Sequence, residues 1–196
     1  MKSEIFNRNL GSIGMAGALL WILSLILEYS LGLQPPAGEG LLYTANQLLA
    51  FIALVYVAVG YFGIKSNGGV ITRFGFISIW LFSVGYFLIV LGGIFALVLK
   101  TDDSPIFILL PLGGLLMALG AIFTGFSVTR ANTWLGWRRY MPLIYAAYLW
   151  LAIMIPNIVG FYSDGPGFVP ELFQGIGLFL VGLATSQELA RKNIQK

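Results

Sequence analysis

Apolar residues occur along the chain in six long blocks, and short stretches of polar and turn-forming residues separate these blocks. An α-helix needs roughly 20 apolar residues to cross the ~30 Å hydrocarbon core of a bilayer. Each block is close to that length, so the pattern predicts six transmembrane helices in a single domain, residues 1–196. The expected bounds of the helices are about 10–28, 41–64, 74–99, 106–128, 140–161 and 169–187.

The composition points to the same class of protein. Hydrophobic residues make up 58% of the chain and charged residues only 10%, whereas charged residues average about 25% in soluble globular domains. The first block is too long for the apolar core of a signal peptide, and no small-x-small cleavage site follows it. We therefore expect an uncleaved first helix and an all-α, polytopic membrane protein.

The charges between the predicted helices separate by sign. If the N-terminus faces the cytoplasm, the inner segments contain every Lys and Arg except Lys100, and the outer segments contain every Asp and Glu except Glu4 and Glu188. An excess of Lys and Arg marks the cytoplasmic side of membrane proteins. The sequence thus predicts that both termini are cytoplasmic, in the cytoplasmic membrane of a bacterium or an archaeon.

Small residues recur at every seventh position of the third and fourth predicted helices. In lipid, small side chains allow two helices to approach closely, and a seven-residue period keeps them on one face. We expect these helices to be tightly packed antiparallel neighbours, although the same glycines would also leave room for a flat ligand. The positions are Ser78, Gly85 and Gly92 in the third helix and Gly113, Gly120 and Ser127 in the fourth.

The residue types argue against an enzyme. The chain has no histidine and no cysteine, which removes the commonest general base, the commonest metal ligand and the thiol nucleophile. We find no paired carboxylates within the apolar blocks and no glycine-rich phosphate loop after a strand. The sequence therefore predicts a non-enzymatic protein with no metal site, no evident cofactor and no nucleic-acid partner.

Strongly polar side chains inside the predicted helices concentrate in the outer third of the bilayer. They are Glu28, Asn46, Gln47, Asn157, Glu171 and Gln174. A carboxylate within an apolar segment is by default a functional hypothesis, although Glu28 is also far enough along its helix to reach the headgroups. Pro156 cannot donate to the carbonyl of Ala152 and clashes with it, so we expect a kink in the helix beside Asn157.

These positions suggest an outward-facing vestibule between the first, second, fifth and sixth helices. The proposed ligand-binding residues are Glu28, Asn46, Gln47, Asn157 and Gln174, and the expected ligand is a small polar or cationic molecule. Deeper aromatic residues line a groove for a lipid-like molecule or fill the core, and the pattern leaves both uses open. They are Trp21, Tyr56, Tyr86, Tyr148 and Trp150.

A basic and aromatic stretch, WLGWRRY, precedes the fifth helix. Trp and Tyr settle at the headgroup level of a bilayer, and each basic residue near an anionic surface gains about 1 kcal/mol. We interpret Arg138, Arg139, Trp134 and Trp137 as a topology anchor that contacts anionic lipid headgroups. A specific anion site is the alternative.

The function indicated by these features is binding or transport of a small solute or lipid-like molecule through the vestibule. The alternative is an accessory subunit that stabilises a larger membrane complex, with membrane proteins or further copies of the chain as partners. A membrane-embedded enzyme is the interpretation with the least support.

Overall fold

The fold was determined as a computed structural model. It describes residues 2–33, 40–99, 108–162 and 166–194. In these ranges all regular structure is helical. The α-helices are α1 (Lys2–Ser30), α2 (Leu41–Tyr61), α3 (Gly63–Ser66), α4 (Arg73–Leu99), α5 (Leu109–Ala131), α6 (Met141–Tyr148), α7 (Ile155–Ile158) and α8 (Phe168–Ile194). A 3-10 helix, Gly136–Arg139, precedes α6, and a π-helical stretch, Leu149–Met154, joins α6 to α7.

Six helical segments are long and apolar enough to cross a membrane, as the sequence predicts. They are Asn9–Ser30, Leu41–Ser66, Arg73–Leu99, Leu109–Ala131, Met141–Ile158 and Phe168–Glu188. These segments indicate an integral membrane protein. Both α1 and α8 extend beyond the predicted spans, because hydropathy locates the apolar part of a helix and not the polar turns that continue it. The predicted start of the fourth helix, at 106–107, lies outside the described residues.

The six spans form a ring in chain order. Each span packs against the one before it, and α1 closes the ring against α8. We call the end that contains Lys65, Arg73, Arg130 and Arg191 the basic end, and the opposite end, with Glu28 and Glu171, the acidic end. Lys100, which the sequence places at the acidic end, lies outside the described residues.

The glycine seam between α4 and α5 is confirmed. A Cβ atom added to Gly113 would lie 2.7 Å from the carbonyl oxygen of Gly85, so the two backbones touch. Nearer the basic end, the hydroxyl groups of Ser78 and Thr124 hydrogen-bond across the same seam at 2.9 Å. Small side chains are what permit such an approach in lipid. These glycines therefore serve helix packing.

The fifth span is disrupted where proline was expected to disturb it. Pro156 has no amide hydrogen to donate to the carbonyl of Ala152, and the hydroxyl of Tyr162 donates to that oxygen instead, at 2.8 Å. The helix widens into the π-helical stretch Leu149–Met154 before it reaches the proline. Such stretches are frequent at functional sites, and this one forms part of the wall of the cavity described below.

Aromatic side chains fill the centre of the bundle towards the basic end. Tyr61 stacks on Phe82 with ring centroids 3.6 Å apart, and Phe82 meets the edge of Tyr86 at 4.9 Å. Tyr145 is fully buried on the other side of Phe82. The interior of the bundle is therefore packed with side chains at the basic end, whereas the acidic end contains a cavity.

Candidate ligand-binding site

A cavity of about 650 Å³ lies in the acidic half of the bundle. Small-molecule sites typically measure about 300–1,000 Å³, so the space suits a ligand of ordinary metabolite or lipid-fragment size. Its wall is formed by α1, α2, α4, α5, the π-helical stretch, α7 and α8. The cavity therefore lies where all six spans converge.

Most of the cavity wall is apolar or aromatic. The side chains of Trp21, Leu54, Ile89, Met117 and Ile153 supply it. The indole nitrogen of Trp21 is buried and has no hydrogen-bond acceptor among the described residues. Apolar walls with few polar groups are typical of sites for small organic ligands.

Hydrogen-bonding side chains on α4, α7 and α8 supply polar groups to the wall. Gln174 donates a hydrogen bond to the hydroxyl of Tyr86 at 3.4 Å, and that hydroxyl lies 3.5 Å from the hydroxyl of Tyr145. Asn157 donates to the carbonyl of Ile153 at 2.9 Å. Gln174 and Asn157 thus each donate one hydrogen bond inside the protein, and neither amide oxygen accepts one from the described residues.

Glu171 is the only charged residue in the described wall of the cavity. Its carboxylate has no hydrogen bond or ion pair with any described residue, and its electrostatic neighbour is a second acidic group, Glu28. Glu171 and Gln174 are three residues apart on α8, a spacing that places both side chains on one face of a helix. The cavity therefore contains an acidic side chain that no described residue pairs with.

One side of the cavity lies between α5 and α7. Leu115 on α5 is 40% exposed and Ile158 on α7 is 67% exposed, yet both line the cavity. Among the described residues, α7 packs extensively only against the π-helical stretch that it continues. The two helices therefore leave a gap at the side of the bundle, where a lipid-facing surface is expected.

The structure brings together part of the predicted ligand-binding set. Asn157 and Gln174 line the cavity, whereas Glu28, Asn46 and Gln47 are not part of its described wall. Asn46 is buried, and its backbone carbonyl accepts a hydrogen bond from Ser24 of α1 at 3.4 Å. The prediction left Glu171 out of the binding set, although the three-residue spacing from Gln174 was a signal for it.

The basic end holds a second carboxylate, Glu188, in a contrasting environment. Glu188 is fully buried, and it accepts from Arg138 at 3.0 Å, from Arg191 at 2.9 Å and from the backbone nitrogen of Leu135 at 3.0 Å. Such donors compensate the cost of burying a charge. This network joins the C-terminal turns of α8 to the segment between α5 and α6.

Three of the four predicted anchor residues have polar contacts inside the protein. Trp134 differs from the prediction because its side chain is fully buried and donates to the carbonyl of Asn67 at 3.2 Å. Arg138 pairs with Glu188, and Arg139 donates to the carbonyl of Thr129 at 2.9 Å. Trp137 is 46% exposed. Lipid contact by Arg138, Arg139 and Trp137 stays a prediction.

No family model matches the chain, and no curated protein or solved structure is significantly similar to it. Among the described residues, no three His, Cys, Asp or Glu side chains come together as a candidate metal site. The features that point to a function are therefore the cavity itself and the contrast between Glu171, which lines it, and Glu188, which is paired with arginines.

Proposed function

We propose that this protein binds, and carries between the membrane and the acidic side, a small lipid-like molecule that occupies the cavity. The observation that carries the proposal is a largely apolar cavity of about 650 Å³ at the convergence of all six spans. The atoms that line a cavity of that size lack the close contacts that a packed interior provides. A ligand of matching shape would restore them.

Two further features support a lipid-like ligand over a fully polar one. The wall has few polar groups besides Glu171, Gln174 and Asn157, as expected for a ligand that is mostly apolar. The gap between α5 and α7 offers a route for an apolar molecule that approaches from the side of the bundle. A hydrophilic solute would gain little from either feature.

The proposed orientation places the acidic end outside the cell and both termini in the cytoplasm. The support is the separation of basic and acidic residues between the two ends. Because the chain has no cysteine, single cysteines report the orientation without background. A membrane-impermeant maleimide added to intact cells should label Ser30→Cys and leave Ser66→Cys unlabelled; the opposite pattern would invert the proposed topology.

A cavity-filling variant tests the proposed function. Gly114 lines the cavity, and a Cβ atom added there meets no other atom within 4 Å. Gly114→Phe should therefore fill the space without disturbing the helices around it. Mass spectrometry of the protein purified in mild detergent should find a co-purifying small molecule with the wild type and not with Gly114→Phe.

Leu112→Phe is the matched control. It adds the same side chain on the same helix, at a position that is 43% exposed on the outside of the bundle. It should retain the co-purifying molecule. Equal retention by Gly114→Phe would contradict the proposal, and discrete protein partners in the same preparations, with no small molecule, would support an accessory subunit instead.

A further inference from the structure

The two carboxylates inside the bundle differ in what neutralises them. Glu188 receives two arginine side chains and a backbone N–H, whereas Glu171 receives none of these from the described residues. An unpaired charge in an apolar environment is costly. The fold therefore supplies counter-charges for a carboxylate at the basic end and leaves this one open to the cavity.

The surroundings of Glu171 add to the negative potential. Glu28, near the end of α1, is its electrostatic neighbour, and the rings of Tyr29 on α1 and Phe168 on α8 hold these helix ends together with centroids 4.9 Å apart. No Lys or Arg belongs to the described wall of the cavity. A cation bound there would interact favourably with both carboxylates.

The rest of the wall is suited to the apolar part of such a ligand. Trp21 and Tyr86 present aromatic surfaces, and aromatic faces attract organic cations as well as apolar groups. Beyond them, Met117 and Leu115 lead along α5 towards the gap beside α7. The wall therefore offers an acidic group and an extended apolar surface, which match a molecule with a charged head and an apolar tail.

We propose that the cavity binds a cationic amphiphile, with its positively charged head at Glu171 and its apolar tail along α5 and the π-helical stretch. This inference rests on the proposed function and specifies the class of ligand. The charge on Glu171 then determines which head group is preferred, and the shape of the cavity determines whether an apolar tail binds.

The test uses probes that share an eight-carbon tail. Binding of octyltrimethylammonium, octyl sulfate and 1-octanol to the full chain in neutral maltoside micelles is measured by equilibrium dialysis, with empty micelles as background. The wild type should prefer octyltrimethylammonium to octyl sulfate by at least about tenfold, which corresponds to one half-buried ion pair. Tetramethylammonium, which has the head alone, should bind more weakly than octyltrimethylammonium.

Substitution of the carboxylate separates charge from shape. Glu171→Gln should weaken octyltrimethylammonium binding about tenfold and leave 1-octanol binding unchanged. Glu28→Gln, the matched control with the same chemical change, should weaken it less, by about two- to threefold, because its charge acts from outside the described wall.

The outcomes distinguish the two proposals. Binding of octyltrimethylammonium that is unchanged in Glu171→Gln would overturn the cationic ligand, and equal binding of tetramethylammonium would overturn the amphiphile. If Gly114→Phe still abolishes 1-octanol binding in either case, the proposed function stands without this inference. If Gly114→Phe binds octyltrimethylammonium, octyl sulfate and 1-octanol as the wild type does, the proposed function fails together with this inference.

Discussion

The two ends of the bundle use acidic residues in opposite ways. At the basic end, Glu188 is fully buried and bound by Arg138 and Arg191, and its contacts hold α8 to the segment between α5 and α6. At the acidic end, Glu171 faces a cavity and has no partner among the described residues. The contrast teaches that the neighbours of a carboxylate near a helix end decide whether the protein itself neutralises it.

The two halves of the bundle also differ in how densely their interiors are packed. Stacked aromatic rings occupy the core towards the basic end, whereas the acidic half contains about 650 Å³ of empty space. Tight packing stabilises one half and the void leaves the other adaptable. We expect substitutions at the basic end to change stability and substitutions at the cavity to change binding.

The largest effect is expected from Glu188→Gln. This change removes the negative charge that neutralises Arg138 and Arg191, and loss of one partner of a buried ion pair costs about 3–5 kcal/mol. The free energy of unfolding, measured by SDS titration in mixed micelles, should fall by an amount near the lower figure because the arginines are 19% and 24% exposed.

Glu171→Gln is the matched control for that measurement. It makes the same chemical change in a carboxylate that accepts no donor from the described residues, so it should not lower the free energy of unfolding. Equal losses from the two variants would break the comparison between the ends.

A smaller loss is expected from Gly85→Leu in the seam between α4 and α5. A Cβ atom at Gly85 would meet the backbone of Gly113 at 2.6 Å, and overpacking of this kind costs about 1–3 kcal/mol. Thermal denaturation in detergent should show a lower midpoint. Gly114→Leu, next to Gly113 but facing the cavity, should unfold at the wild-type temperature; an unchanged midpoint for Gly85→Leu would count against the seam.

The smallest effect is expected from Tyr162→Phe, beside the cavity. The variant loses the hydrogen bond from the Tyr162 hydroxyl to the carbonyl of Ala152, and one such bond contributes about 1 kcal/mol. The loss should shrink when Pro156→Ala is added, because an alanine amide can then donate to the same carbonyl.

Unfolding of the two single variants and the double variant would measure that coupling. Tyr56→Phe is the control, since Tyr56 is 44% exposed on the outside of the bundle. Additive effects of Tyr162→Phe and Pro156→Ala would mean that the tyrosine does not replace the amide that proline lacks.

Residues of the same type and the same predicted depth can face different parts of the structure. Glu28 and Glu171 are both acidic and both lie near the same end of the bundle, yet only Glu171 belongs to the cavity wall. Hydropathy gives the depth of a residue but not the direction in which its helix turns it. Gln174 and Asn157 were found because their depth and their facing direction happened to agree.

Trp134 and Arg138 illustrate the same limit at the basic end. A Trp and an Arg beside a predicted helix are typical of a headgroup anchor, and that pattern is local. The burial of Trp134 against Asn67 and the pairing of Arg138 with Glu188 join residues that are far apart in the chain. No local pattern contains such a contact.

The sequence by itself determined the six spans, the glycine seam of α4 and α5, and the disruption before Pro156. Each follows from the length of apolar blocks, the spacing of small residues or the missing amide of proline, all of which act over a few turns of helix. The tertiary structure decided that the spans form a ring, that a cavity remains in its acidic half, and which carboxylate faces it. These depend on how each helix is rotated about its own axis, and that rotation is set by the simultaneous packing of all the helices.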